Sequence, residues 1–227
     1  MKKGTKRKVA FTLAEVLITL GIIGVVSAIT IPTLIQNYKK HEATSRLKKF
    51  YSAMSQAVLL SENDNGPVFG WREGNNGDIQ DENGDYDHNA QADFSWNYWT
   101  KYLAPYIKYT KAEKGIYDEE NPDKFYETKV WLADGTTFTL HNGGTMDVNV
   151  DINGEKQPNE AGRDQFGFMI NTQEKIWGKK HFSATYQYWN RDTAQNECKN
   201  KQNPLMSCGR LLEIDNFEFK SDYPFKL

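Results

Sequence analysis

Groups for chemistry are scarce in this chain. Its four histidines, His41, His88, His141 and His181, are scattered along 227 residues. No HExxH, GxSxG or Walker A pattern occurs. The paired acids between 78 and 87 lie in a polar stretch and read as solvated surface. These absences argue against an enzyme. Cysteine is nearly missing too, with only Cys198 and Cys208. Their spacing fits neither CxxC redox chemistry nor a zinc site, which needs two more ligands nearby. A disulfide closing a short loop is the economical reading, and two unpaired thiols in a reduced protein are the alternative. Such a bridge contributes on the order of 2–3 kcal/mol and places its domain outside the cytoplasm. Excess positive charge is also lacking: the net charge is −2. That excludes a nucleic-acid binder defined by bulk basicity.

Charge is absent in another sense from Val9 to Ile35, where Glu15 is the only ionisable side chain. The run is long enough to cross a hydrocarbon core of about 30 Å. It is too long for the ~7–15-residue apolar region of a cleaved secretory signal. Lys2, Lys3, Lys6, Arg7 and Lys8 precede it, and taking these five away from −2 leaves about −7 on the remainder. Mean hydropathy is −0.73 in spite of this run, so the rest is strongly polar. Aromatics at 13% still argue for a folded domain rather than a disordered tail.

The helix is expected to continue past the run. Leu47, Phe50, Tyr51, Met54 and Val58 follow one face of an α-helix. Pro32 should kink this helix rather than end it. Lys39, Lys40, Arg46, Lys48 and Lys49 read as a solvated face or one touching lipid headgroups, with DNA contact the sharper alternative.

A basic leader, a small residue and then FTLAEVLITLGIIGVVSAI resembles the N-terminal processing and methylation segment of type IV pilins and type II secretion pseudopilins. The resemblance covers roughly residues 6–35. It implies that a prepilin peptidase cuts between Ala10 and Phe11 and that the new amino terminus of Phe11 is N-methylated. Glu15 and Pro32 then stand where the family places its acid and its helix proline. The family usually has Gly before the cut, and this chain has Ala10, a residue small enough for cleavage. A carboxylate near mid-bilayer costs about 2.5–3.5 kcal/mol by insertion scales, so it persists where its charge is compensated. Cleavage creates an α-amine on Phe11 one turn away, and Glu15 of one subunit is expected to pair with the amine of its neighbour. Placement at the headgroup level is the alternative. Charge counting on the two sides of the run is close to a tie. The leader resemblance and the cysteine pair favour a cytoplasmic leader and an external domain.

Downstream of the helix a Gly-, Asn- and Asp-rich stretch reads as loop. FSWNYWTKYLAPYIKY then predicts a short helix ending before Pro105. Its aromatic residues are a core face or a surface for sugars or bases. Val130 and Leu132, the Asp134-Gly135 turn, and Phe138 and Leu140 predict a β-hairpin. TMDVNVDINGEK and DQFGFMINTQEKIW suggest a further strand pair. Within NVDINGEKQPNE, Asn149, Asp151, Asn153 and Glu160 stand at positions 1, 3, 5 and 12 of an EF-hand-like pattern. Lys156 and Pro158 depart from it, and an Asn-Gly turn explains Asn153-Gly154 without calcium.

The expected fold is α+β and pilin-like, with a long kinked N-terminal helix (membrane half plus amphipathic half) packed on an antiparallel sheet. The expected parts are a leader over 1–10, a helix over 11–62 with its membrane half at about 11–35, and an external domain over 63–227. The expected function is that of a prepilin-like subunit, inserted as a single-pass inner-membrane precursor. It is then assembled with other pilin-like subunits, through an inner-membrane platform, into a pilus or pseudopilus. A signal-anchored binding module that never polymerises is the alternative.

Overall fold

The computed structural model describes residues 12–72, 77, 79–172, 180–200 and 203–227. The chain divides into two units, one up to His41 and one from Glu42 onward. Helix α1 (Leu13–Asn65) contributes to both and runs through Pro32 without ending there. It stops three residues beyond the expected boundary.

In the second unit, α1 buries Ala43, Leu47, Phe50, Met54, Ala57, Val58 and Ser61. Apart from Val58, which widens it, the spacing alternates between four and three, which makes one continuous stripe at 3.6 residues per turn. Phe50 is the centre of that stripe. Its ring centroid lies 5.4 Å from that of Phe138 and 6.3 Å from those of Phe168 and Phe182. Tyr51, expected on the same face, is half-buried beside it. Arg46 departs from the solvated role expected of it. Its guanidinium donates to the carbonyls of Asp134 at 2.8 Å and Ile152 at 3.0 Å, so it ties α1 to two turns of the sheet.

The sheet has six antiparallel strands in the order β1-β2-β3-β4-β5-β6: β1 (Lys111–Lys114), β2 (Thr128–Trp131), β3 (Thr137–Asn142), β4 (Met146–Asp151), β5 (Gln165–Ile170) and β6 (Phe182–Ala184). The expected hairpin is β2–β3, with Val130 opposite Phe138. Leu132 falls in its turn, donating its N–H to the Thr136 carbonyl at 2.9 Å. Gly135 there has φ +86°, a conformation that glycine adopts without a Cβ penalty. The expected second pair is β4–β5, with Val148 opposite Phe168 and Val150 opposite Phe166. All four are buried, because alternate residues of a strand share one face and this face meets α1.

Helix α2 (His88–Tyr98) begins earlier than the aromatic segment suggested. Asp87 caps it by accepting the Ala90 N–H at 2.9 Å. It continues as a wide π-type turn over Trp99–Leu103 and a 3-10 turn over Ala104–Tyr106, so Pro105 lies inside the last turn rather than beyond it. Tyr98, Trp99, Tyr102 and Leu103 are buried. Tyr102 stacks on Trp71 at 4.6 Å and 5°. These aromatic rings are core.

Two further helices, α3 (Arg191–Asn200) and α4 (Pro204–Ile214), follow the sheet. The disulfide Cys198–Cys208 joins them. Helix α4 approaches β5 so closely that a Cβ on Gly209 would stand 2.5 Å from the Gly167 carbonyl oxygen. Both glycines are needed for that approach.

Candidate functional site

In the first unit, the helical residues from Leu13 to Ile35 span roughly 35 Å at 1.5 Å per residue. Leu13, Leu17, Ile18, Leu20, Ile22 and Ile23 are among thirteen large apolar side chains exposed along it. Water does not favour such a surface; lipid or other helices do. Among the described residues, α1 alone is long and apolar enough to cross a membrane, a property that membrane anchors and signal sequences share.

The first turn carries its acid in a closed local arrangement. The Thr12 N–H donates to Glu15 Oε2 at 2.8 Å, and the Thr12 hydroxyl donates to the same oxygen at 2.9 Å. The Glu15 N–H returns a bond to Thr12 Oγ1 at 3.2 Å. This is a capping box: two otherwise orphaned helix N–H groups are satisfied, and the carboxylate sits at the positive end of the helix dipole. The T-x-x-E spacing before an apolar run is the signal in the sequence that marks this cap. Two threonine hydroxyls of the segment are also satisfied within the helix. Thr19 donates to the Glu15 and Val16 carbonyls and Thr30 to the Val26 carbonyl, at 2.9–3.0 Å. Back-bonded hydroxyls of this kind allow threonine to lie in hydrocarbon. Pro32 lacks the N–H that would reach the Ala28 carbonyl.

Ala10 and Phe11, the expected cleavage pair, lie outside the described residues. Among the expected calcium residues, Asp151 and Asn153 are hydrogen-bonded to one another. Asn149 is on β4 with its Oδ1 buried and unbonded. Asp151 accepts from the Gln165 amide at 3.1 Å and the Asn153 N–H at 3.1 Å. Glu160 pairs with Arg163 at 2.8 Å. The segment closes on Asp164 instead, which accepts from the Asn153 amide and from the N–H groups of Asn159 and Glu160 at 2.6–3.0 Å. Burial pushes the Asp151 carboxyl above its usual range. Among the described residues, no group of three His, Cys, Asp or Glu side chains is placed to hold a metal.

A second polar centre went unread in the sequence. Glu127, 2% exposed, accepts from His141 Nδ1 at 2.6 Å, the Asn142 N–H at 2.8 Å, the Tyr86 hydroxyl at 3.2 Å and the Ser95 hydroxyl. Arg72, also buried, donates to Asn142 Oδ1 at 2.7 Å and to the Gly143 carbonyl at 2.6 Å. Burial pulls the Arg72 guanidinium below its usual value. These groups come from five separate stretches of chain, so no local motif announces them.

The profile of a family of unknown function (DUF6613) matches residues 33–227. The match takes in the packed half of α1 and the whole sheet, and starts just after Pro32. No curated protein and no solved structure matches the chain.

Proposed function

We propose that this chain, which belongs to the DUF6613 family, is a prepilin-like structural subunit. Its precursor sits in the inner membrane as a single span with the sheet domain outside. Prepilin peptidase cuts it between Ala10 and Phe11, and an assembly platform adds it to a pilus or pseudopilus with other pilin-like subunits. The observation that carries this reading is the helix from Leu13 to Ile35. It combines exposed apolar side chains, one acid in the first turn, and direct continuation into a helix that packs on an antiparallel sheet.

The mechanism is assembly rather than catalysis. Apolar helix surfaces supply cohesion without directional preference. Direction comes from Glu15. Its capping bonds hold the carboxylate in the first turn, close to where the Phe11 amine arises on cleavage. Axial registers that leave the carboxylate and a neighbour's amine unpaired in a low dielectric are disfavoured, so the pair selects one register.

Mass spectrometry of the membrane fraction tests the reading. The expected mature chain begins at Phe11 with one methyl group on its nitrogen. A population that keeps the intact leader would overturn the proposal and leave a signal-anchored, non-polymerising module.

A further inference from the structure

The sheet face turned away from α1 carries a cleft of about 650 Å³, lined by Tyr86, His88, Phe125, Tyr126, Thr139 and Asn149, among others. Its floor follows from strand alternation. Phe138, Val148 and Val150 point toward α1, so their neighbours Thr139 and Asn149 point away from it. Thr139 and Asn149 are directly opposite in the β3–β4 register, and Asn149 is opposite Gly167 on β5. Helix α4 closes over Gly167 and leaves the Thr139–Asn149 pair as the base of the cleft. The walls are rings held by one another: His88 stacks on Tyr117 at 3.7 Å and 4°, and Tyr86 and Phe125 meet it edge-on at 4.6 and 5.1 Å.

Two polar atoms on the lining residues are buried without a hydrogen-bond partner, Asn149 Oδ1 and His88 Nδ1. Buried polar groups in folded proteins are normally satisfied. We propose that this cleft binds a neutral saccharide ring, whose C–H face packs on the aromatic wall and whose hydroxyls donate to Asn149. The inference does not depend on how the subunit is assembled.

The character of the lining selects this ligand class. Of its side chains, only Glu127 and His141 can carry charge besides His88. Four protein donors already occupy the Glu127 carboxylate, which leaves it poorly placed to hold a cation. Among the described residues the lining holds no lysine or arginine, and Lys129, opposite Thr139 on β2, is already engaged by the Tyr126 and Trp131 rings and by Glu155 at 3.6 Å. The remaining combination is flat apolar rings beside an amide and a hydroxyl. It suits a ligand with an apolar face and a hydroxylated edge, and the volume falls in the ~300–1,000 Å³ range of small-ligand sites.

Saturation-transfer NMR on the full chain in a polyoxyethylene detergent, free of sugar headgroups, tests this directly. The probes are glucose, galactose and N-acetylglucosamine, with tetramethylammonium and inorganic phosphate as charged comparisons. At least one sugar is expected to receive saturation at millimolar concentration. Asn149→Leu is expected to weaken it about tenfold, the loss of one directional hydrogen bond. Thr139→Val, which removes one hydroxyl from the same floor, provides the second variant should Asn149→Leu fail to fold. Transfer to none of the sugars, transfer only to a charged probe, or sugar binding unchanged in the folded variants would each overturn the proposal.

Discussion

The hydroxyl of Tyr51 donates to the carboxylate of Glu213 at 2.7 Å, joining α1 to the last turn of α4 across most of the sequence. Burial raises the phenol well above its usual pKa, and the neighbouring carboxylate adds to the shift. The group therefore stays protonated and remains a donor. Glu213 keeps Arg210 at 2.8 Å when the phenol is removed, so it is not stranded. Tyr51→Phe is expected to cost about 1.5 kcal/mol, the low end for a hydrogen bond to a charged group. Denaturant unfolding of the purified chain measures it, with an unchanged m-value marking a pure loss of stability.

Much of the second unit was legible because its signals are local and periodic. The stripe from Leu47 to Val58 has the helical period, and Val148 and Val150 alternate as a half-buried strand does. Asp134-Gly135 announces the turn. What escaped depends on distant residues meeting. Strand β1 is a charged edge strand, Lys-Ala-Glu-Lys, whose composition carries no strand preference and whose pairing comes from β2. Helix α3 reads as polar sequence, and it is held through Cys198. Glu127 looks like any surface acid until His141, Asn142, Ser95 and Tyr86 fold around it. Arg46 sits in a run of lysines and differs from them only because two turn carbonyls lie within its reach.

Gly209 allows the close contact of α4 with β5. Alanine is favoured over glycine within a helix by about 1 kcal/mol. Here its Cβ would press on the Gly167 carbonyl, and overpacking of this kind costs about 1–3 kcal/mol. Gly209→Ala is therefore expected to lower the thermal midpoint. Gly21→Ala, where a Cβ meets nothing within 4 Å in the chain, is expected to leave it unchanged or raise it. Scanning calorimetry of the two variants makes the comparison.

The pH dependence of stability has opposing contributors, with Asp147 and Asp151 both raised by burial on one side. Burial raises the Asp147 carboxyl above its usual value, more than the Thr145 hydroxyl and the nearby His141 and Arg72 lower it. The folded state then holds a proton that the unfolded chain has released, so stability falls as pH rises from the ordinary value of 3.8 to the raised one. Asp215 behaves in the opposite way. Burial acts to raise it, but Arg191 and Lys220 outweigh that and hold it below 3.8, so its contribution is lost as pH falls below 3.8. Asp147→Asn is expected to make the decline above pH 3.8 shallower, with Asp151 supplying the remainder, and to leave the acid limb in place. Urea titrations across a series of pH values would show otherwise if the decline were as steep in the variant as in the unaltered chain.

Glu15→Ala is expected to permit membrane insertion and abolish incorporation into filaments. Thr12→Val keeps the acid but removes its hydroxyl partner, at a cost of about 0.5–2 kcal/mol to the helix start. It is expected to reduce incorporation without abolishing it. Sheared-filament fractions, compared with total membrane protein, quantify both variants. Equal incorporation of Glu15→Ala and the unaltered chain would defeat the register mechanism.

Reducing the Cys198–Cys208 bridge releases a short loop and is expected to cost about 3 kcal/mol by the chain-entropy relation. Intact cells offer a further check. A maleimide reagent should label neither cysteine until a reductant is added, and labelling without reductant would contradict an oxidised external domain.

The order of strands in the sheet is also the order in which the chain supplies them. Each strand from β2 to β5 pairs only with its sequence neighbours, so no pairing waits for a segment made much later. A chain that folds from its N-terminal end can add each strand to one already docked on α1. Exposed strand edges are then short-lived at every stage. Closure falls to α4, whose glycine seats on β5 and whose cysteine completes the bridge to α3. The domain's last contacts, rather than its first, therefore complete its fold.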